Sequence, residues 1–199
     1  MGVALMGWRP PPRHMTDSNW FSRDFGSPNG VWIALGIIAM STVILVVTRA
    51  FDVRVNWTES MPRGVYQRTD PALERGAWVA VCLEGKAAEL ARERGYVIDG
   101  SCPSGLTPVF KRIVGIPGDR IDLATDGIAV NGTPVPDSEL KEVDSRGRPL
   151  ERAAEEEFVL PEGRYFVMGM NPSRSWDSRY FGAVSEHQIV AGARPLWTF

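Results

Sequence analysis

Histidine is nearly absent. The 199 residues hold two, His14 and His187, and neither is placed for a zinc site or a Ser/His/Asp triad, both of which need imidazoles at suitable positions. Cysteine is as scarce, with Cys82 and Cys102 alone, so a disulfide-framework protein is excluded. No charge of one sign dominates: 22 Lys+Arg stand against 24 Asp+Glu, a formal net charge of -2. A nucleic-acid binder ordinarily carries a marked basic excess, so nucleic acid is not expected as a partner. Internal repeats, a Gly-rich phosphate loop and collagenous or low-complexity composition are missing too. One ordinary folded domain remains.

The hydrophobic residues, 44% of the chain, are unevenly spread. Residues 31–48, VWIALGIIAMSTVILVVT, run without a charge, and at about 1.5 Å per residue they give roughly 27 Å of helix, near the thickness of a bilayer core. This is a membrane-spanning candidate. A buried core helix would show polar residues at helical spacing, and a cleaved signal peptide usually has a shorter apolar core and a shorter leading region. The pattern Thr48-Arg49-Ala50 keeps cleavage as an alternative. Arg9, Arg13 and Arg23 before the span are matched by Arg49, Arg54 and Arg63 after it, so charge leaves the topology open. Residues 1–30, with Pro10-Pro11-Pro12 and a Gly/Ser/Pro/Asn stretch at 26–30, lack a periodic apolar face and are expected to be a flexible arm. The expected organisation is an arm over 1–30, a transmembrane helix over 31–51 and one domain over 52–199.

That domain is expected to be mainly antiparallel β. Short alternating runs recur at Val53-Val55-Trp57 and at 77–81, 109–114, 128–130, 165–168 and 189–191, separated by Gly, Pro, Asn and Asp. Asp126-Gly127 and Asn131-Gly132 are hairpin-type turns. Residues 86–94, KAAELARER, read as a helix stopped by Gly95.

Two segments carry chemistry. Residues 56–66, NWTESMPRGVY, begin about eight residues past the span and set Ser60 in a constrained turn, because Pro62 disfavours the helical region for Met61 and Gly64 permits a sharp bend. Thr58 can direct its hydroxyl alongside the Ser60 amide, making two donors for a developing oxyanion. A serine nucleophile needs a base. In the run 107–119, TPVFKRIVGIPGD, strand alternation puts Lys111 on one face with Val109 and Ile113, and Arg112 on the other with Phe110 and Val114. Burial would lower the Lys111 pKa towards the neutral range and let its amine accept a proton, a role closed to the permanently charged Arg112. Taken singly, each segment also fits a plain surface turn or a strand lysine reaching solvent.

Taken in order, Ser60-Met61-Pro62 after an apolar span, then KRIVGIPGD at 111–119, then GMNPSRSWDSRYFG at 169–182, the chain resembles the type I signal peptidase (leader peptidase) family of membrane-anchored serine/lysine proteases. The form Asn-x-Thr-x-Ser-Met-Pro-x-Gly-x-Tyr, with Cys102-Pro103 ahead of the lysine strand and Gly147-Arg148-Pro149-Leu150 later, looks most like the TraF subgroup of conjugative-transfer peptidases. The resemblance covers about residues 52–199. It implies an antiparallel β catalytic domain of signal-peptidase type, preceded by one transmembrane helix. It implies Ser60 as nucleophile, Lys111 as general base, and Thr58 with the Ser60 amide as oxyanion hole. It further implies Ser175 as the serine that orients the lysine, and Asp177 with Arg179 as a supporting ion pair. In that subgroup the matching aspartate is also linked to processing that can end in peptide cyclisation. Met170, Pro172, Ser173 and Arg174 depart from the Asp, Arg, Asp and Asn common in leader peptidases, which bears on secretory specificity more than on catalysis.

The same resemblance implies a single-pass inner-membrane protein with a cytoplasmic N-terminus and a periplasmic catalytic domain. Its partners would be membrane lipid and an exported precursor, a conjugative pilin or another signal-peptide-bearing protein. No cofactor and no metal are expected. In that compartment Cys82 and Cys102 can form a disulfide closing a loop of about 20 residues, typically worth about 3 kcal/mol, with two buried thiols as the alternative. His187, in the polar run 185–188, and Glu155-Glu156-Glu157 read as solvated. The alternative functions are a general secretory signal peptidase and a catalytically silent scaffold of a conjugation apparatus.

Overall fold

The computed structural model describes residues 28–56, 61–124, 126–153, 157–171 and 175–199. Most of the arm, including His14, lies outside the described residues. So do Trp57, Thr58, Ser60, Glu155, Glu156, Pro172, Ser173 and Arg174. The chain divides into two compact units, Met1–Val47 and Thr48–Phe199.

In the first unit the described residues belong to helix α1 (Pro28–Ala50). Trp32, Ile33, Ile37 and Ile38 are exposed on it, so the alternative of a buried core helix fails. The stretch Asn29–Ala50 is long and apolar enough to cross a membrane.

The second unit is mostly β. Strands β1 (Val53–Asn56), β2 (Gly64–Thr69), β3 (Trp78–Val81), β4 (Val109–Gly115), β9 (Arg164–Met168), β10 (Val184–Ser185) and β11 (Ile189–Thr198) make a seven-stranded sheet in the order β1-β2-β11-β3-β4-β9-β10. Strands β5 (Arg120–Ala124), β6 (Gly127–Val130), β7 (Thr133–Pro134) and β8 (Glu157–Val159) make a second sheet ordered β7-β6-β5-β8. Every pairing is antiparallel. Asp126-Gly127 lies in the turn from β5 to β6, and Asn131-Gly132 joins Val130 to its partner Thr133.

Strand β9 explains how the sheets share a core. Its side chains alternate, so Tyr165 and Val167 join Val79, Val81, Ile113 and Ile189 on one side, while Phe166 and Met168 join Ile121, Leu123, Ile128 and Leu160 on the other. A strand covered on both faces needs an unbroken apolar run, and YFVM at 165–168 is one. Asp119 pins the crossing from one sheet to the next. Its carboxylate accepts from the Ile116 amide at 2.7 Å, from Arg75 Nη2 at 2.8 Å and from Asn131 Nδ2 at 2.8 Å. Burial alone would push its pKa up, but these donors hold it below the usual carboxylate range.

Between β3 and β4 the chain makes an excursion that carries helix α2 (Gly85–Arg94), which ends at Gly95 in the left-handed conformation. Cys82 and Cys102 are joined by a disulfide within it, with Cα atoms 5.5 Å apart.

Candidate active site

Lys111 lies in the middle of β4, a strand flanked by β3 and β9, with Val79 as its cross-strand neighbour. Alternation along β4 buries Lys111 and Ile113 and leaves Arg112 exposed, its guanidinium 5.9 Å from the Trp78 ring. Lys111 is 4% exposed. Loss of water around the ammonium lowers its pKa to about 8; the Asp177 carboxylate pulls it up and the Arg179 guanidinium pulls it down. Desolvation therefore dominates, and the two neighbouring charges oppose each other.

The amine has a partner. Lys111 Nζ donates to Ser175 Oγ across 2.8 Å in a buried hydrogen bond. Ser175 is placed by its own neighbours. Asp177 and Arg179 are both fully buried, and Arg179 donates through Nε to Oδ1 at 2.8 Å and through Nη2 to Oδ2 at 2.8 Å. This two-pronged geometry suits guanidinium and would be lost with lysine. Asp177 also caps the short helix α3 (Ser178–Phe181), accepting from the Arg179 amide, and takes the Gly169 amide at 3.1 Å. Arg179 Nη1 reaches the Glu139 carbonyl at 2.7 Å, and Ser178 Oγ accepts from the Val167 amide at 2.9 Å. Residues 175–179 are thus fastened to the end of β9 and to the loop near Glu139.

Gly169, just past β9, makes this closeness possible. A side chain there would run into Ser175 Oγ, with Ser175 Cβ at 2.6 Å and Lys111 Nζ at 3.5 Å.

Ser60 and Thr58 lie outside the described residues, but Asn56 and Met61, which bound the stretch 57–60, are held by specific contacts. Met61 is buried with Tyr66 and Ala193 in a cluster that Trp78 and Phe110 pack against. The residue after Ser60 and the residue before Lys111 therefore share one apolar cluster. Asn56 Nδ2 donates to the Met61 and Pro62 carbonyls at 3.3 and 3.2 Å, and Tyr66 Oη donates to the Pro62 carbonyl at 2.7 Å. Asn56 and Tyr66 were visible in the sequence only as members of a spaced motif; their work is to bridge the turn. Gly169 and Trp176 likewise stood in the last motif without a role, because what they touch is remote in sequence.

His187 is exposed, as its polar surroundings suggested, and meets Glu84 at 3.1 Å. Among the described residues no cluster of His, Cys, Asp or Glu could hold a metal ion.

The arrangement supplies a buried amine, oriented by a hydroxyl and shielded from water, that can exchange a proton near neutral pH. The profile of the family described as signal peptidase, peptidase S26, matches residues 30–197. The chain is similar to a plasmid transfer protein TraF of Escherichia coli, 35% identical over 148 residues that cover 73% of this chain and 83% of that protein. A conjugal transfer protein TraF of Agrobacterium fabrum is 36% identical over 73% of this chain and 82% of its own. Signal peptidase IB of Staphylococcus aureus is 33% identical over 77% of this chain and 82% of its own. Among solved structures, a signal peptidase I from Enterococcus faecalis aligns with a TM-score of 0.38 and 22% identity, covering 62% of this chain and 98% of that one.

Proposed function

The chain belongs to the signal peptidase, peptidase S26, family, and on that premise we propose that it is a membrane-anchored serine endopeptidase working through Ser60 and Lys111 on an exported precursor. Neutral Lys111 Nζ takes the Ser60 hydroxyl proton as Oγ bonds to the scissile carbonyl carbon. Thr58 Oγ1 and the Ser60 amide donate to the oxygen that becomes negative. The carbon–nitrogen bond then breaks, the new ammonium returns its proton to the leaving amine, and an acyl ester remains on Ser60. Water resolves the ester to a free carboxylate, or an amine resolves it to a new peptide bond, the route to a cyclic product.

The observation that carries this reading is the buried Lys111–Ser175 hydrogen bond, which supports an amine set apart for proton transfer rather than a lysine reaching solvent. Ser175 orients the amine, while Asp177 and Arg179 cancel each other's charge beside it. Similarity to transfer proteins named TraF supports a conjugative pilin as the precursor; similarity to signal peptidase IB supports the general secretory alternative. Helix α1 would anchor the enzyme in the inner membrane, N-terminus in the cytoplasm and catalytic domain in the periplasm.

The test is precursor processing in cells carrying Ser60→Ala or Lys111→Met. Both variants should accumulate uncleaved precursor, and normal cleavage in either overturns the assignment. Accumulation of one pilin favours conjugation, whereas accumulation of many exported proteins favours general secretion. Mass spectrometry of the product's termini separates hydrolysis from cyclisation.

A further inference from the structure

We propose that Trp176 is a positioning residue for the Lys111–Ser175 pair, and that the disulfide-closed excursion between β3 and β4 is the brace that holds it. The inference rests on the reading of Lys111 as the base and goes beyond it, because it makes the base depend on a covalent bond elsewhere in the chain.

Trp176 stands between the two residues that matter most around the amine. The backbone at Asp177 is extended, so neighbouring side chains leave on opposite sides. Ser175 and Asp177 turn towards Lys111 and Gly169. Trp176 turns away and packs on Tyr96, ring centroids 5.2 Å apart, and on Phe181 at 5.1 Å. The cluster beneath it is built from Leu83, Ala88, Ala91 and Leu106. All four, and Tyr96, belong to the excursion that leaves the sheet at Val81 and rejoins it at Val81's partner, Val109.

The helix of that excursion has little packing of its own to hold it. Helix α2 buries only two alanines, a small apolar area for ten residues. Tyr96 is fixed at its far end, donating to Asp144 Oδ2 at 2.7 Å. The Cys82–Cys102 bond ties the returning limb to the end of β3. With it cut, the platform under Trp176 keeps its packing and hydrogen bonds such as Tyr96 to Asp144 and Arg94 Nη1 to the Pro149 carbonyl at 2.7 Å, but loses the covalent tie of its returning limb to β3, and Ser175 follows the backbone of Trp176. The charged groups acting on Lys111, Asp177 and Arg179, are fastened to each other and not to the excursion.

Lys111 can be watched directly. The chain has three lysines, Lys86, Lys111 and Lys141, and the other two are exposed. In the detergent-solubilised full chain, nitrogen NMR of labelled lysine side chains follows each amine through its titration. Cleavage of an internally quenched peptide with alanine before the scissile bond is measured in parallel.

Trp176→Ala, and the double variant Cys82→Ser/Cys102→Ser, should move the Lys111 titration up towards its ordinary 10.5 as water reaches the amine. Cleavage at pH 7 should fall by about tenfold or more, the scale expected from a small misplacement of a catalytic group. Trp176→Phe should keep both near the parent. A dithiol, which reduces the disulfide to two thiols, should reproduce the double variant and leave that variant unchanged.

An unaltered Lys111 titration in a folded Trp176→Ala overturns the proposal. If that variant does not fold, an unaltered titration in the double serine variant overturns it instead. Lys111→Met separates the two readings: continued cleavage there removes the base itself, whereas a silent Lys111→Met beside a parent-like Trp176→Ala removes only the brace.

Discussion

At Lys111, burial costs stability and confers reactivity through the same displacement of water. Its pKa is about 8 in the fold against 10.5 when free. Between those values the unfolded chain binds more protons than the folded one, so this residue makes stability rise with pH from about 8 to 10.5 and weighs against the fold in full below 8. Lys111→Met should therefore be inactive yet more stable than the parent at pH 7, by roughly 3 kcal/mol. That advantage should shrink as pH approaches 10.5; urea unfolding of both proteins across pH 7 to 10.5 checks it, and a constant difference would place the amine in water. Gly169 gives the companion prediction. A methyl group there meets Ser175 on one side and lies 3.5 Å from the amine on the other, so Gly169→Ala should displace the hydroxyl and lower kcat by about 100-fold. It should cost only about 1–3 kcal/mol of stability, measured as kcat beside the unfolding midpoint. Lys111 was legible in the sequence because alternation along a single strand reports which side chain is covered. Gly169 was not, since its constraint comes from a serine six positions on that folds back against it.

Strand pairing decides how firmly the two ends of the segment between β1 and β2 are held. The segment leaves β1 at Asn56 and enters β2 at Gly64, and those two residues face each other in the ladder. On its far side β2 pairs with the last part of β11, Trp197 with Val65 and Thr198 with Gly64, and the Phe199 amide donates to the Arg63 carbonyl at 3.0 Å. A side chain at Gly64 would collide with the Trp197 carbonyl oxygen and come within 2.9 Å of Thr198 Cα. Both are backbone atoms, which cannot turn aside as a side-chain tip can. Gly64→Ala should thus open the β2–β11 pairing at the turn, costing about 1–3 kcal/mol and reducing turnover by more than that loss of stability explains. Loss of amide protection at Val65 and Phe199 in hydrogen exchange would locate the damage, and unchanged protection with unchanged turnover would refute it. The elements themselves were unequally legible. Helix α2 and β9 announce themselves by a charged helical run with a Gly stop and by a continuous apolar run. β5 alternates correctly, with Ile121 and Leu123 buried, but begins directly after the turn at Gly118-Asp119, where the sequence signals an ending. β10 and α3 are too short to carry a period; α3 exists because Asp177 caps it while gripping Arg179.

For the whole molecule, the question is what a tether would contribute to the proposed enzyme, whose candidate site lies in the second unit. The described contacts of Lys111, Ser175, Asp177 and Arg179 all fall within Thr48–Phe199. Nothing in them calls on α1 for proton transfer. The apolar helix would act by confinement: an enzyme and a precursor inserted in one bilayer meet at an effective concentration that free diffusion does not reach. Removing residues 1–47 should then leave kcat/KM for a short water-soluble peptide within about twofold of the parent, while processing of a precursor embedded in vesicles falls by about 100-fold or more. The two substrates must be assayed side by side in the same lipid and detergent. Equal losses on both would mean that α1 supports the catalytic unit itself, and no loss on either would mean that the second unit finds the bilayer without it. Confinement predicts the split, because only the second substrate shares a membrane with the enzyme.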